Sequence, residues 1–187
     1  MRRKWDRPCV EAVEDIVQDA ATFVVGDDST ANIRVQKITC ILCFDIANKE
    51  VQFGKVIKIV DGDTYDILLE NQTTKRIRME GIDAPERGMP FYKVSKDYLG
   101  QLCFGKSLKI VQTNTDRYGR TVAQSFINDN ELGLLMIQAG YAWHFKKYSH
   151  DIELARAQIN AKNNRTGLWA DELPIAPWEW RKGIGHK

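Results

Sequence analysis

Long apolar runs are missing from this chain. Nothing in its 187 residues approaches the ~18 consecutive apolar side chains that a membrane-spanning helix requires, so no span is expected. Histidine and cysteine are scarce, at three and four residues, which leaves little material for a soft-metal centre. Cys40-Ile-Leu-Cys43 has the spacing of half a zinc site. No second Cys or His pair follows it, so these two, like Cys9 and Cys103, read as buried thiols with no deducible disulfide pattern. His144 and His150 have no third ligand in view and read as structural or exposed. Internal repeats and low-complexity tracts are also lacking. The opening MRRKWDRP is basic, but acidic sequence follows it where a secretory signal would turn apolar.

Net charge is small as well, at +2. It is unevenly spread: residues 51–187 carry 20 Lys and Arg against 16 Asp and Glu, whereas residues 1–50 are net acidic. A modestly basic body is compatible with a polyanionic partner without demanding one. The 43% hydrophobic and 28% charged composition is that of an ordinary globular protein with one core.

Patterning divides the chain near residue 50. Before it, Val10 to Val25 has helical spacing, and Ile38 to Phe44 is a short apolar run read as a strand, with a short signal core behind a misplaced start codon as the alternative. From Val51 onward the signals sharpen. VQFGKVIKIV, TYDILLE and KRIRMEGI alternate as strands, and YKVSKDYLGQLC has Val94, Tyr98, Leu99 and Leu102 at helical spacing. SLKIVQT and TVAQSFI are two further strands joined by NTDRYGR. Asn130 is placed to cap a helix that Gly140 stops, and a last helix over Asp151–Asn163 would turn Ile152, Ala155 and Ile159 inward. Three strands, a helix, two strands and two helices predict a β+α fold. The class is a five-stranded OB-fold Greek-key barrel with about three packed helices.

Three polar clusters fall at strand ends. Each alone reads blandly: Asp61-Gly62-Asp63-Thr64 as a hairpin turn, Arg76, Arg78 and Glu80 as a solvated strand face, and Asp116-Arg117-Tyr118-Gly119-Arg120 as a charged turn. Together they supply two acidic strand ends, a third carboxylate at Glu86 and two arginines within one small barrel. Phosphodiester hydrolysis needs such a set. Hard oxygen ligands hold a divalent ion, guanidinium forks match phosphate oxygens, and a spare carboxylate handles water.

In their order and separation, DGDT, IRMEGIDAPE and TDRYGR resemble the three signature blocks of the thermonuclease (staphylococcal nuclease-like) family. The resemblance runs from about Phe53 to Trp169, and the ending GLWADELPIAPWEWRKG is similar to that of Gram-negative members. It implies an OB-fold barrel and calcium-dependent cleavage of DNA and RNA, with one Ca2+ per site and 3′-phosphate ends. By position, Asp63 and Asp83 match the calcium-binding carboxylates. Ala84 matches the residue that lends its main-chain carbonyl; the founding member has threonine there, a change that a backbone ligand tolerates. Arg78 and Arg120 match the arginines on the phosphate, and Glu86 the carboxylate that positions or deprotonates water. Tyr118 falls where a ring lies beside the nucleotide, and Arg117 and Tyr148 are further candidates for substrate contact. The RGMPFY loop after Glu86 is shorter than in the founding nuclease.

The resemblance divides the chain into an N-terminal extension of unknown role (1–50), a nuclease OB-fold domain (51–170) and a Trp-rich tail (171–187) packed on it. Trp169, Trp178 and Trp180 are expected as its anchors. A monomer is expected. Family habit implies a secreted or periplasmic protein, although no clean signal peptide is visible. The alternative is a non-catalytic nucleic-acid or protein-binding module on the same barrel. Retention of Asp63, Arg78, Asp83, Glu86 and Arg120 weighs against it.

Overall fold

The computed structural model describes residues 50–184. The expected helix over 10–25, the strand over 38–44 and Cys9, Cys40 and Cys43 lie outside them.

Five strands close into a barrel. β1 (Val51–Ile59) pairs antiparallel with β2 (Thr64–Leu69), and β2 with β3 (Thr74–Met79). β1 also pairs with β5 (Ser107–Thr115), and β5 with β6 (Thr121–Ile127). A short parallel pairing of β3 with β6, Ile77 beside Thr121 and Met79 beside Ala123, shuts the barrel. Register shifts in β1 between Val56 and Lys58 and in β5 between Gln112 and Asn114 provide the bends that closure requires. This is the expected OB-fold Greek key, β+α in class.

Alternation explains the strands. Tyr65, Ile67 and Leu69 point inward from β2, and Ile77 and Met79 from β3, joined by Leu108, Ile110 and Ala123. Burying each fully enclosed aliphatic side chain contributes about 1.5–3 kcal/mol. The pattern therefore also fixes register, since a slip of one residue in β3 would drive Arg78 into the core. Tyr65 satisfies its hydroxyl there by donating to Ser125 Oγ at 2.7 Å.

The described residues hold four helices, one more than the roughly three expected to pack on the barrel. They are α1 (Tyr92–Cys103), α2 (Leu132–Gln138), α3 (Ile152–Asn163) and a short α4 (Pro177–Trp180), with a 3-10 helix at Gly167–Ala170. None is long and apolar enough to cross a membrane. Three local expectations are corrected. Asn130 is no cap: with Glu131 it forms a two-residue strand, β7, on the edge of β6, and α2 starts after Glu131. Helix α3 buries Leu154, Ala157, Gln158 and Ala161 and leaves Ile152 and Ile159 exposed. Helix α1 buries Ser95, Leu99 and Cys103, with Val94 outside. Gly140 does end α2, with φ 70°, in a backbone shape that suits glycine.

A second, smaller cluster gathers Trp143, Ala161, Leu168, Trp169 and Ala176, with Trp178 against it. The Trp143 and Trp169 rings lie 4.2 Å apart by centroid, and Trp178 stacks on Phe145 at 5.3 Å. Trp169 and Trp178 are thus packing anchors. They seat the segment that ends in α4.

Candidate active site

The site grows from two tight connections. After β1, Val60 and Asp61 donate their amides to the Thr64 carbonyl at 2.9 and 3.2 Å. The Asp61 side chain accepts from the Asp63 amide at 3.1 Å. Gly62, between the two aspartates, lies outside the left-handed region. Its hydrogen serves contact instead: a Cβ there would sit 1.9 Å from Ser95 Oγ and 2.8 Å from the Ala84 methyl. Helix α1 and the segment after β4 (Ile82–Asp83) thus close directly on the loop.

That closeness joins Asp63 to Ala84. The Ala84 amide donates to Asp63 Oδ2 at 2.7 Å, and Thr64 Oγ1 donates to Asp63 Oδ1 at 2.9 Å. Asp83 is fixed from the other side, where β4 pairs with β8 (Trp143–His144), Asp83 opposite Trp143. Both acids are buried. Arg78, projecting from β3, lies between them: its Nη2 is 2.9 Å from Asp83 Oδ1 and 3.2 Å from Asp63 Oδ2, and its Nη1 donates to the Met79 carbonyl at 3.0 Å.

Electrostatics follow from this crowding. Burial, and then the neighbouring Asp63, push the Asp61 carboxyl up to about 7. Burial also raises the Asp83 pKa, against hydrogen bonding from Arg181. Glu86 follows Pro85, turned back by a hydrogen bond from the Met89 amide to its carbonyl at 2.9 Å. Its carboxylate is half exposed and paired with Arg181, whose other nitrogen is 2.6 Å from Asp83 Oδ2.

The remaining candidates form separate groups. At the β5–β6 turn, Asp116 accepts from the Tyr118 and Arg120 amides at 2.9 and 3.0 Å and from Arg120 Nε at 2.7 Å. Burial nudges the Asp116 carboxyl up, but these hydrogen bonds outweigh it and leave its pKa lowered. Arg117 and Arg120 both lie over the exposed Tyr118 ring, at 5.0 and 5.6 Å from its centroid. Arg120 immediately precedes Thr121, which pairs with Ile77, the neighbour of Arg78, and its ion pair is with Asp116 rather than with Asp63 or Asp83. Tyr148 is exposed and packs on Phe145 at 4.9 Å. His144 is buried and His150 exposed. Burial lowers the His144 pKa, as suits a neutral packing residue.

Asp63, Arg78, Asp83, Ala84 and Glu86 are thus brought together, with Arg120 and Tyr118 on an adjoining rim. Sequence reading missed two members. Asp61 passed for a turn residue, although the second carboxylate of its own Asp-Gly-Asp is the signal. Arg181 passed for tail, although it directly follows tryptophans read as anchors. Among the described residues no three His, Cys, Asp or Glu side chains gather into a metal-holding group by themselves. Two buried carboxylates sharing one guanidinium nitrogen are hard donors. They fit a cation such as calcium or magnesium that completes its shell with water.

Comparison with known proteins follows the same residues. The family described as staphylococcal nuclease homologue matches residues 76–171. An uncharacterized endonuclease of Haemophilus influenzae is 35% identical over 154 residues, covering 81% of this chain and 86% of that protein. An uncharacterized endonuclease of Escherichia coli O157:H7 is 34% identical over 142 residues, 75% of this chain and 88% of that protein. The staphylococcal-like nuclease CAN1 of Arabidopsis thaliana is 43% identical over 107 residues, 57% of this chain and 33% of that protein.

Proposed function

The chain belongs to the staphylococcal nuclease homologue family, and from that premise we propose that it is a calcium-dependent nuclease that hydrolyses phosphodiester bonds of DNA and RNA and leaves 3′-phosphate ends. The observation that carries this reading is the buried Asp63–Arg78–Asp83 group beside the Ala84 amide. A surface that only binds a phosphate backbone gains nothing from buried acids, which repel it unless a cation stands between them.

Asp63, Asp83 and the Ala84 carbonyl would hold the ion. When bound, it supplies positive charge to a phosphate oxygen and to the charge that grows there during attack. Arg78 keeps Nε and part of Nη1 beyond the contacts it makes with Asp63, Asp83 and Met79, and these donors would serve the phosphate. Arg120 spends Nε on Asp116 and keeps both Nη groups for a second phosphate oxygen. Both guanidinium groups stay charged at any working pH and match the phosphate fork. Glu86 holds the attacking water and orients or accepts its proton. The water oxygen bonds to phosphorus as the P–O5′ bond breaks, the 5′ oxygen takes a proton from solvent and leaves as a hydroxyl, and the phosphate stays on the 3′ side. Tyr118, with Arg117, offers an exposed ring for a base or sugar at the rim.

The test is cleavage of end-labelled single-stranded DNA in calcium, in magnesium and in chelator, with Glu86→Gln alongside. Cutting that requires calcium, leaves 3′-phosphate and falls at least about a hundredfold in the variant is expected. A folded protein that cuts in no metal overturns the proposal and leaves the binding module.

A further inference from the structure

We propose that Arg181 is the site's built-in counter-cation, neutralising Asp83 and Glu86 while no divalent ion is bound and yielding Asp83 when one binds. This rests on the reading above that Asp83 is a cation ligand.

Both oxygens of Asp83 are already taken by arginine. Arg78 Nη2 holds Oδ1 at 2.9 Å; Arg181 Nη2 holds Oδ2 at 2.6 Å and its Nη1 lies 3.4 Å from Oδ1. The same Nη1 pairs with Glu86, so one guanidinium spans the candidate ligand and the candidate water-handling carboxylate. An incoming cation competes with the two arginines for the oxygens of Asp83. Arg78 is fastened by Asp63, Asp83 and the Met79 carbonyl, with 14% of its side chain exposed. Arg181 is 42% exposed, and among the described residues its ion pairs are with Asp83 and Glu86. It is the more easily displaced.

Its position is built, not accidental. Arg181 follows α4, whose Pro177 is buried and whose Trp178 lies 5.5 Å from Trp143, the residue paired with Asp83. The backbone is thereby anchored while the side chain spans the gap. A groove of about 460 Å³ lined by Glu86, Arg87, Trp180, Arg181 and Gly183 opens alongside, so the guanidinium can leave without crossing protein. Released there, it stays beside Glu86 and faces whatever anion occupies the groove. Charge supports the arrangement: Asp61, Asp63, Asp83 and Glu86 crowd the site, and with Arg78 alone the ion-free site carries more repulsion than with two arginines.

Calcium titrated calorimetrically into the full chain, without nucleic acid, tests this for wild type, Arg181→Gln and Arg181→Lys. Thermal midpoints are measured in chelator and in saturating calcium. Arg181→Gln is expected to bind calcium about three- to fivefold more tightly, the upper range of a partly exposed ion pair. Its midpoint falls in chelator and gains more from calcium than wild type does. Arg181→Lys, which keeps the charge, stays within about twofold of wild-type affinity. Equal affinities in all three proteins, with the same drop in midpoint with and without calcium, assign Arg181 to clamping the tail and overturn the proposal while leaving the nuclease reading intact. Wild-type protein that binds no calcium overturns the cation reading of Asp83, and this proposal with it.

Discussion

Two aspartate–arginine pairs of nearly equal length lie at the two ends of this site. Arg78–Asp83 spans 2.9 Å with 14% and 2% of the side chains exposed; Arg120–Asp116 spans 2.7 Å with 31% and 19% exposed. The first is set between strands of the barrel, shares its arginine with a second buried acid and is surrounded by protein. The second closes a turn in water, where the aspartate's main work is to bind backbone amides. Burial raises the Asp83 pKa, whereas hydrogen bonds lower that of Asp116. The same chemistry thus serves two ends. Inside, the arginine makes buried charge tolerable; outside, the aspartate aims an arginine that remains available.

Removing the two arginines should separate these roles most sharply. Arg78→Ala leaves Asp63 and Asp83 short of a partner and is expected to lower stability in chelator by about 3 kcal/mol, the lower range for breaking a buried pair. Arg120→Ala is expected to cost less than about 1 kcal/mol. Urea unfolding measures both. Cleavage assays are nonetheless expected to show both variants at least about a hundredfold slower. Equal stability losses would break the comparison.

Glu131 provides a control: a carboxylate with no arginine. Burial, then Asp151 and Glu80, push its pKa up to about 7. Because the folded value is raised, its contribution to stability is fully present below the ordinary value of 4.5 and is lost as pH rises to about 7. Glu131→Gln therefore melts higher than wild type at pH 8, and the two converge near pH 4 in a thermal melt. No difference at pH 8 would mean the charge is accommodated without a partner.

The smallest effect belongs to Asp116. Its lowered folded pKa means its contribution is present above the ordinary carboxylate range and fades as pH falls through the folded value. Asp116→Asn is expected to lower the melting midpoint slightly at pH 7 and to match wild type under strong acid. A loss that persists in acid would assign the turn's stability to geometry rather than charge.

Most of the barrel was readable because its strands alternate and its turns carry glycine and aspartate. What escaped was set by distant neighbours. β4, β7 and β8 are two residues each, too short for any periodic signal, and exist because other segments pass beside them. Helix α3 has apolar residues on two stripes. The stripe that is buried includes Gln158, whose side chain accepts the His144 amide at 2.8 Å, a partner no local pattern reveals. Asp63, Arg78, Asp83 and Glu86 were legible in the three blocks, whereas Asp61 reads there as a turn residue. Arg181 was not legible, since its partners lie 98 and 95 residues earlier in the chain.

Gly62 carries one more consequence, for transplantation. A Cβ at that position would collide with Ser95 of α1, and Ser95 in turn donates to the Tyr141 carbonyl at 2.8 Å. The Asp-Gly-Asp loop is therefore molded by a helix that begins some thirty residues later. A graft of the loop into another five-stranded barrel would import the carboxylates but not their placement. The smallest portable unit is the loop together with α1, and any scaffold that receives it must offer an acceptor for the Ser95 hydroxyl where the Tyr141 carbonyl stands.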